Sequence, residues 1–244
     1  MLSDAQLRQI MPNLAAAKAA SFLPHLNDAM ARWEVNTLAR TAAFVAQLAH
    51  ESGEFRWMEE LWGPTDAQKR YEPPTDLAAR LGNTEAGDGK RYKGRGPIQV
   101  TGRSNYQRFG TLLGIDLIGQ PEQAATPAVG FQIAGAFWKS NGLNELADAG
   151  DFLKITKRIN GGTNGLEDRR KYHAQALAAL EGSFEPGPAP AATRGRRAAP
   201  AALEPLARGQ EAIHAGAAAR KASPAKKAAP AKKASPAKSR VKPS

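Results

Sequence analysis

Apolar residues recur at helical spacing through most of the first 182 positions. Leu7, Ile10 and Met11 follow a Ser3/Gln6 pair that reads as a capping box, which places a helix start at Ser3. Phe22, Leu26, Met30 and Trp33 mark a second stripe, and Leu38, Ala42, Val45 and Ala49 a third. Thr126-Pro127 is an N-cap and first-turn pair for a helix through Val129, Ile133 and Phe137. Asp151 can cap a helix through Ile155 and Ile159, and a last helix is expected over about Glu167–Leu180. Between Glu54 and Thr101 the helical period is lost and Gly, Pro and Asp are frequent, so short strands or hairpins and loops are expected there. The predicted class is α+β, predominantly α-helical.

The pattern ends at about Glu181-Gly182, which divides the chain into a body, 1–182, and a tail, 183–244. From Ser223 a six-residue Pro-Ala-Lys unit recurs, with prolines at 224, 230 and 236. Proline at this spacing interrupts helices, and too little apolar surface is present to offset the entropy of ordering. The tail is expected to be disordered and cationic, with room for one short helix near Leu203–Ala219. It holds 13 Lys+Arg against 3 Asp+Glu, so nearly all of the net charge of +11 lies there and the body is almost neutral.

Such a tail binds polyanions through counterion release. Anionic envelope polymers or lipopolysaccharide are the expected partners, with nucleic acid the lesser alternative. A protein whose whole purpose is DNA binding fits poorly, because the body lacks basic groove-facing helices. Cysteine is absent, which excludes a disulfide scaffold and thiolate zinc sites. The first residues show no basic segment followed by an apolar run, and no stretch reaches the ~18 apolar residues of a membrane span. These features predict a monomer made in the cytoplasm.

The strongest chemical signal is AHESGEF at 49–55. Phe44, Leu48 and Glu51 share one helical face, and Ser52-Gly53 then ends the helix. A glutamate at the C-terminal end of a buried helix is desolvated and meets the negative end of the helix dipole. Both effects keep its proton on near neutral pH, as a general acid requires. A glycosidase needs a second carboxylate, and Glu54, Glu59, Glu60, Glu72 and Glu85 are available. Solvated surface charge is the better reading for Glu54, Glu59 and Glu85. Glu60 lies nine residues after Glu51, and a break at Gly53 would let the chain return it toward Glu51. The segment RYKGRGPIQVTGRSNY, 91–106, adds two turn-forming glycines and the neutral hydrogen-bonding groups of Gln99, Thr101 and Asn105, which suit sugar hydroxyls or a bound water. It is not a phosphate loop, since no Lys-Ser/Thr pair follows and Pro97 removes an N–H. Trp57, Trp62, Tyr71 and Tyr92 could stack on sugar rings or cap the core.

AHESGEF, YKGRGPIQVTGRSNY and RINGG, in this order, resemble the family 19 glycoside hydrolases, the class I-type chitinases and their phage endolysin relatives. The resemblance covers about residues 3–181 and implies a lysozyme-like fold and an inverting, single-displacement reaction needing no metal or other cofactor. It makes Glu51 the general acid, Glu60 the base and Thr101 a holder of the attacking water. Gln99, Asn105, Tyr106 and Asn160 match positions lining the sugar cleft, and Arg169 matches an arginine supporting the carboxylate site. Two departures stand out. Glu54 replaces a glycine of HE(S/T)GGF, and ELWGPT follows where many phage members have ENLNYS. Peptidoglycan is the expected substrate, with bacterial wall lysis the outcome. Chitin hydrolysis is the alternative, and a lytic transglycosylase, which needs one carboxylate only, is a third.

Overall fold

The computed structural model describes residues 1–182 and Phe184. Among the described residues eleven α-helices follow one another: α1 (Asp4–Ile10), α2 (Ala16–Arg32), α3 (Leu38–Ser52), α4 (Asp66–Lys69), α5 (Asp76–Leu81), α6 (Asp88–Arg91), α7 (Arg103–Leu113), α8 (Pro127–Ser140), α9 (Leu143–Asp148), α10 (Phe152–Asn160) and α11 (Leu166–Leu180). A 3-10 turn at Pro121–Ala125 leads into α8.

The caps form where the sequence places them. Ser3 Oγ accepts from Gln6 N at 3.2 Å while Gln6 Oε1 accepts from Ser3 N at 2.8 Å, closing the capping box. Thr126 caps α8 ahead of Pro127, and the Asp151 carboxylate accepts from Lys154 N at 2.9 Å to start α10. Thr37, which the apolar stripe alone did not mark, also caps α3 through Arg40 N.

The centre of the molecule is α3. Eleven of its 15 residues are buried, so it is apolar almost all round, as a core helix must be. α11 packs along α3, and α2 packs along α8. Phe22, Phe55 and Phe131 join α2, the segment after α3, and α8, with ring centroids 5.1–5.9 Å apart and two of the three contacts edge-on. Each such pair contributes about 0.5–1.5 kcal/mol beyond area burial. Phe184 packs against this same core.

The segment between Glu54 and Thr101 differs from the expected hairpins. Its pairing is confined to the isolated antiparallel bridges Glu59–Arg95 and Arg95–Val100, and the rest is turns and the three short helices α4 to α6. The reason is side-chain chemistry: Thr65 and Thr75 cap α4 and α5, and a second small core of Tyr71, Leu77 and Leu81, with Trp62 against it, holds the segment. The fold is accordingly predominantly helical, as expected. The expected tail, 183–244, lies outside the described residues except for Phe184.

Candidate active site

Glu51 sits in the last turn of α3 and is only 4% exposed. Its carboxylate accepts a hydrogen bond from Arg169, in the second turn of α11, and Arg169 donates to Gln47 through its other terminal nitrogen. Gln47 is one helical turn before Glu51, and its amide donates to Thr156 Oγ1 at 3.0 Å. Burial disfavours the ionised form of Glu51, and the guanidinium favours it. Beside this pair, His50 Nδ1 lies 2.6 Å from Asp168. Burial, helped by the Arg169 charge, pushes the His50 imidazolium below its ordinary range despite Asp168. A Cβ on Gly165 would lie 2.4 Å from His50 Cε1, so the imidazole rests directly on glycine backbone.

The chain reverses after α3 through three consecutive left-handed residues: Gly53 at φ 59°, Glu54 at 58° and Phe55 at 61°. Trp57 N then returns to Ser52 O at 2.9 Å, and Ser52 Oγ accepts from Phe55 N at 2.7 Å. Two of these residues are not glycine, at a cost of roughly 1–2 kcal/mol each. Burial of Phe55 offsets one. Glu54 offsets the other by accepting from Asn13 N at 2.6 Å, Asn13 Nδ2 at 2.9 Å and Tyr172 OH at 2.8 Å. Glu54 is therefore not the solvated surface charge its sequence context predicts. It is 6% exposed and clamps the loop before α2 and α11 onto the turn. Glycine adopts this conformation freely, which accounts for its place in the pattern the chain resembles.

Glu60 lies beyond the turn and is 1% exposed. Its oxygens accept from Gln68 Nε2 at 3.0 Å and Gly94 N at 3.0 Å, and its own N–H donates to Gly94 O at 2.8 Å. Neutral donors of this kind favour the carboxylate form. A Cβ on Gly94 would stand 2.8 Å from Gln99 Oε1 and 3.3 Å from both Glu60 Oε2 and Thr101 Oγ1, so these three oxygens converge on one glycine. Gln99, at φ 55°, donates to Trp57 O and Gly96 O, while its buried Oε1 has no partner among the described residues. Thr101 Oγ1 donates to Gln99 O at 2.9 Å.

The remaining residues singled out from the sequence fall in different places. Asn105 is buried and donates to Thr101 O at 2.8 Å, beneath the Gln99–Thr101 strip. Tyr106 is fully buried, donating to Lys93 O at 2.7 Å and accepting from Arg95. Burial pushes its phenol far above the ordinary tyrosine range against the pull of Arg95. Asn160 ends α10, half-buried, and donates to Asn164 O at 3.1 Å on the loop leading to Gly165. Glu59 is an exposed charge that pairs with Arg95 and Lys93, and Glu85 one that pairs with Arg103. Glu72 accepts from Gly87 N and Lys90 N. Tyr71 and Tyr92 are buried in the cores, whereas Trp57 and Trp62 are partly exposed.

Three members of the site escape a reading by sequence. Gln47 carries a signal, since it precedes Glu51 by four residues on the same face. Gln68 is masked, because it completes a capping box with Thr65 while reaching Glu60. Asp168 carries no local signal at all.

Residues 14–148 match the glycoside hydrolase family 19 model, described as chitinase class I. A Haemophilus influenzae protein described as a glycosyl hydrolase family 19 domain-containing protein is 34% identical over 198 residues, covering 71% of this chain and 94% of its own length. An endochitinase of Arabidopsis thaliana is 41% identical over 123 residues, but these cover 50% of this chain and 39% of that protein. Chitinase C from Streptomyces griseus superimposes with a TM-score of 0.58 at 23% identity, over 76% of this chain and 78% of its own, which shows a shared fold. The chain belongs to glycoside hydrolase family 19 and is a glycoside hydrolase.

Proposed function

We propose that this enzyme hydrolyses β-1,4 glycosidic bonds of bacterial peptidoglycan by an inverting acid/base reaction, in the manner of an endolysin, with the cell wall as its place of action. The observation that carries the mechanism is the pair of buried carboxylates on either side of the turn at 53–55, and their division into acid and base is the one the resemblance implies, since Arg169 by itself favours an ionised Glu51. Glu51 protonates the glycosidic oxygen, and Arg169 stabilises the carboxylate that remains. Glu60, whose oxygens accept from Gln68 and the Gly94 N–H, takes a proton from a water as the base. Gln99 Oε1 and Thr101 Oγ1, converging with Glu60 on Gly94, orient that water toward the anomeric carbon. As the new C–O bond forms, the leaving sugar departs with the proton from Glu51. Asn105 and Tyr106 hold the strip from behind, and Asn160 borders the cleft.

Two observations support peptidoglycan. The relative matched over 94% of its length is bacterial, and the tail's basic charge suits anionic envelope polymers or lipopolysaccharide. Chitin is the second reading, favoured by the chitinase class I description of the matching model and by plant relatives named endochitinases. Digestion of purified sacculi and chitin oligomers side by side decides between them. Mass and anomeric analysis of products should show hydrolysed, inverted reducing ends from sacculi. Glu51→Gln and Glu60→Gln should each lose roughly 10²–10⁴-fold in rate. Anhydro products, or full activity in Glu60→Gln, would overturn the two-carboxylate mechanism.

A further inference from the structure

Beside the C-terminus of α3 lies a groove of about 590 Å³ that the mechanism above does not use. This size is within the range of small-molecule clefts, roughly 300–1,000 Å³. Its walls come from the start of α2, the left-handed turn at 53–55 and the Arg56-Trp57 segment after it, and α11.

Two cations and one carboxylate line this groove, an excess of one positive charge. Glu54, at its base, has both carboxylate oxygens committed to Asn13 and Tyr172, so its hydrogen-bonding capacity is directed inward. Two cations line the same groove. The Lys18 ammonium lies 5.2 Å from the Phe22 ring centroid, and burial holds it below the ordinary lysine range. The Arg56 guanidinium lies 4.9 Å from the Trp57 ring centroid on an exposed side chain. No carboxylate forms an ion pair with either among the described residues, and each rests instead on an aromatic ring. The exposed Arg56 guanidinium carries a fork of N–H donors that can match a carboxylate bidentately. The partly exposed Trp57 adds an apolar surface against which a sugar ring or methyl can pack.

The groove is also tied to the carboxylate site by covalent geometry. Gly53 is two residues from Glu51, and Tyr172 is three residues from Arg169, less than one helical turn along α11, or roughly 5 Å. The groove therefore begins within three residues of Glu51 and of Arg169 along the chain. We propose that this groove binds a carboxylate-bearing substituent of the glycan through Arg56 and Lys18, and so selects acid-substituted strands over neutral ones. The inference rests on the peptidoglycan reading and supplies the selection that reading requires, because chitin carries no such group.

The test uses the full chain and purified sacculi in two forms, native and with their carboxyl groups amidated, with chitin oligomers alongside. Wild type should digest the native form faster. In Lys18→Gln/Arg56→Gln the native-to-amidated ratio should fall roughly tenfold, at about two- to fivefold per cation, mainly through KM. Arg56→Gln alone, at an exposed position, should show the smaller part of that change without loss of fold. Lys154→Gln, on exposed α10 surface outside the groove, should leave the ratio unchanged. An unaltered ratio in the double variant, or an equal fall in Lys154→Gln, overturns the groove assignment while the peptidoglycan reading stands. Wild type that cleaves chitin oligomers and neither form of sacculus overturns both.

Discussion

Arg169 faces Glu51 inside the protein, at 1% and 2% side-chain exposure, and the consequence of removing it can be worked out. In Arg169→Met the side chain keeps its length and loses its charge, leaving Glu51 buried beside Gln47 with no cation. Breaking one side of such a pair costs about 3–5 kcal/mol. Proton uptake limits that cost. An ordinary glutamate titrates near 4.3, and holding its proton above that pH costs about 1.4 kcal/mol per unit, about 3.7 kcal/mol at pH 7 and about 1 kcal/mol at pH 5. The sign follows: an orphaned carboxyl that keeps its proton in the fold loses stability as pH rises above the unfolded value. For a domain of this size, 1 kcal/mol moves Tm by about 2–4 °C. Arg169→Met should therefore melt roughly 7–15 °C below wild type at pH 7 and only about 2–4 °C below it at pH 5. Glu51→Gln/Arg169→Met, in which neither member of the pair is charged, should recover most of the loss at pH 7. Thermal melts of the three proteins at both pH values decide the matter. A deficit equal at pH 5 and pH 7, with no recovery in the double variant, refutes the buried pair as its cause.

Three further outcomes are expected. Burial opposes ionisation of Asp88, yet Arg103 and the Thr84 and Glu85 N–H groups outweigh it and hold the carboxyl below the ordinary aspartate range. A depressed value stabilises the fold above the unfolded value and is lost as pH falls through the folded one, so Asp88→Asn should cost about 1–3 kcal/mol at pH 7 and progressively less below about pH 4, by urea unfolding. Gly165→Ala should cost about 1–3 kcal/mol in melting experiments and displace His50 from Asp168, visible as a changed imidazole titration by NMR, because a Cβ at φ 71° would enter the ring. Truncation after Glu185 retains Phe184 on the core; it should leave soluble-oligomer cleavage unchanged and weaken binding to whole envelopes at low salt, measured by cosedimentation.

Much of the helical framework is local and therefore legible. The Ser3/Gln6 box, the Thr126-Pro127 start and the Asp151 cap depend on partners three residues away, and the apolar stripes need only the 3.6-residue period. Glu51 belongs to this class, since its place on the Phe44–Leu48 face at a helix end is written in neighbouring residues. The short helices at 66–91 are less legible, because their brevity leaves no period to read. Glu54 is illegible for a different reason: its partners Asn13 and Tyr172 lie 41 and 118 residues away, and its left-handed backbone contradicts what its type prefers.

The sequence by itself thus determined the capped starts of α1, α8 and α10, the apolar stripes of α2 and α3, the approximate span of α11, the near-neutral body with its basic tail and a carboxylate at the end of a core helix. These follow from interactions within about one turn of the chain. The tertiary structure alone decided which charges are matched. Arg169 reaches Glu51 because α11 packs on α3, and Gln68 and Gly94 meet at Glu60 because the turn at 53–55 sends the chain back. Lys18 and Arg56 line one groove because Glu54 ties α2 and α11 to that turn. A charge's effect depends on its distance and burial, and both are properties of packing that residue order does not carry.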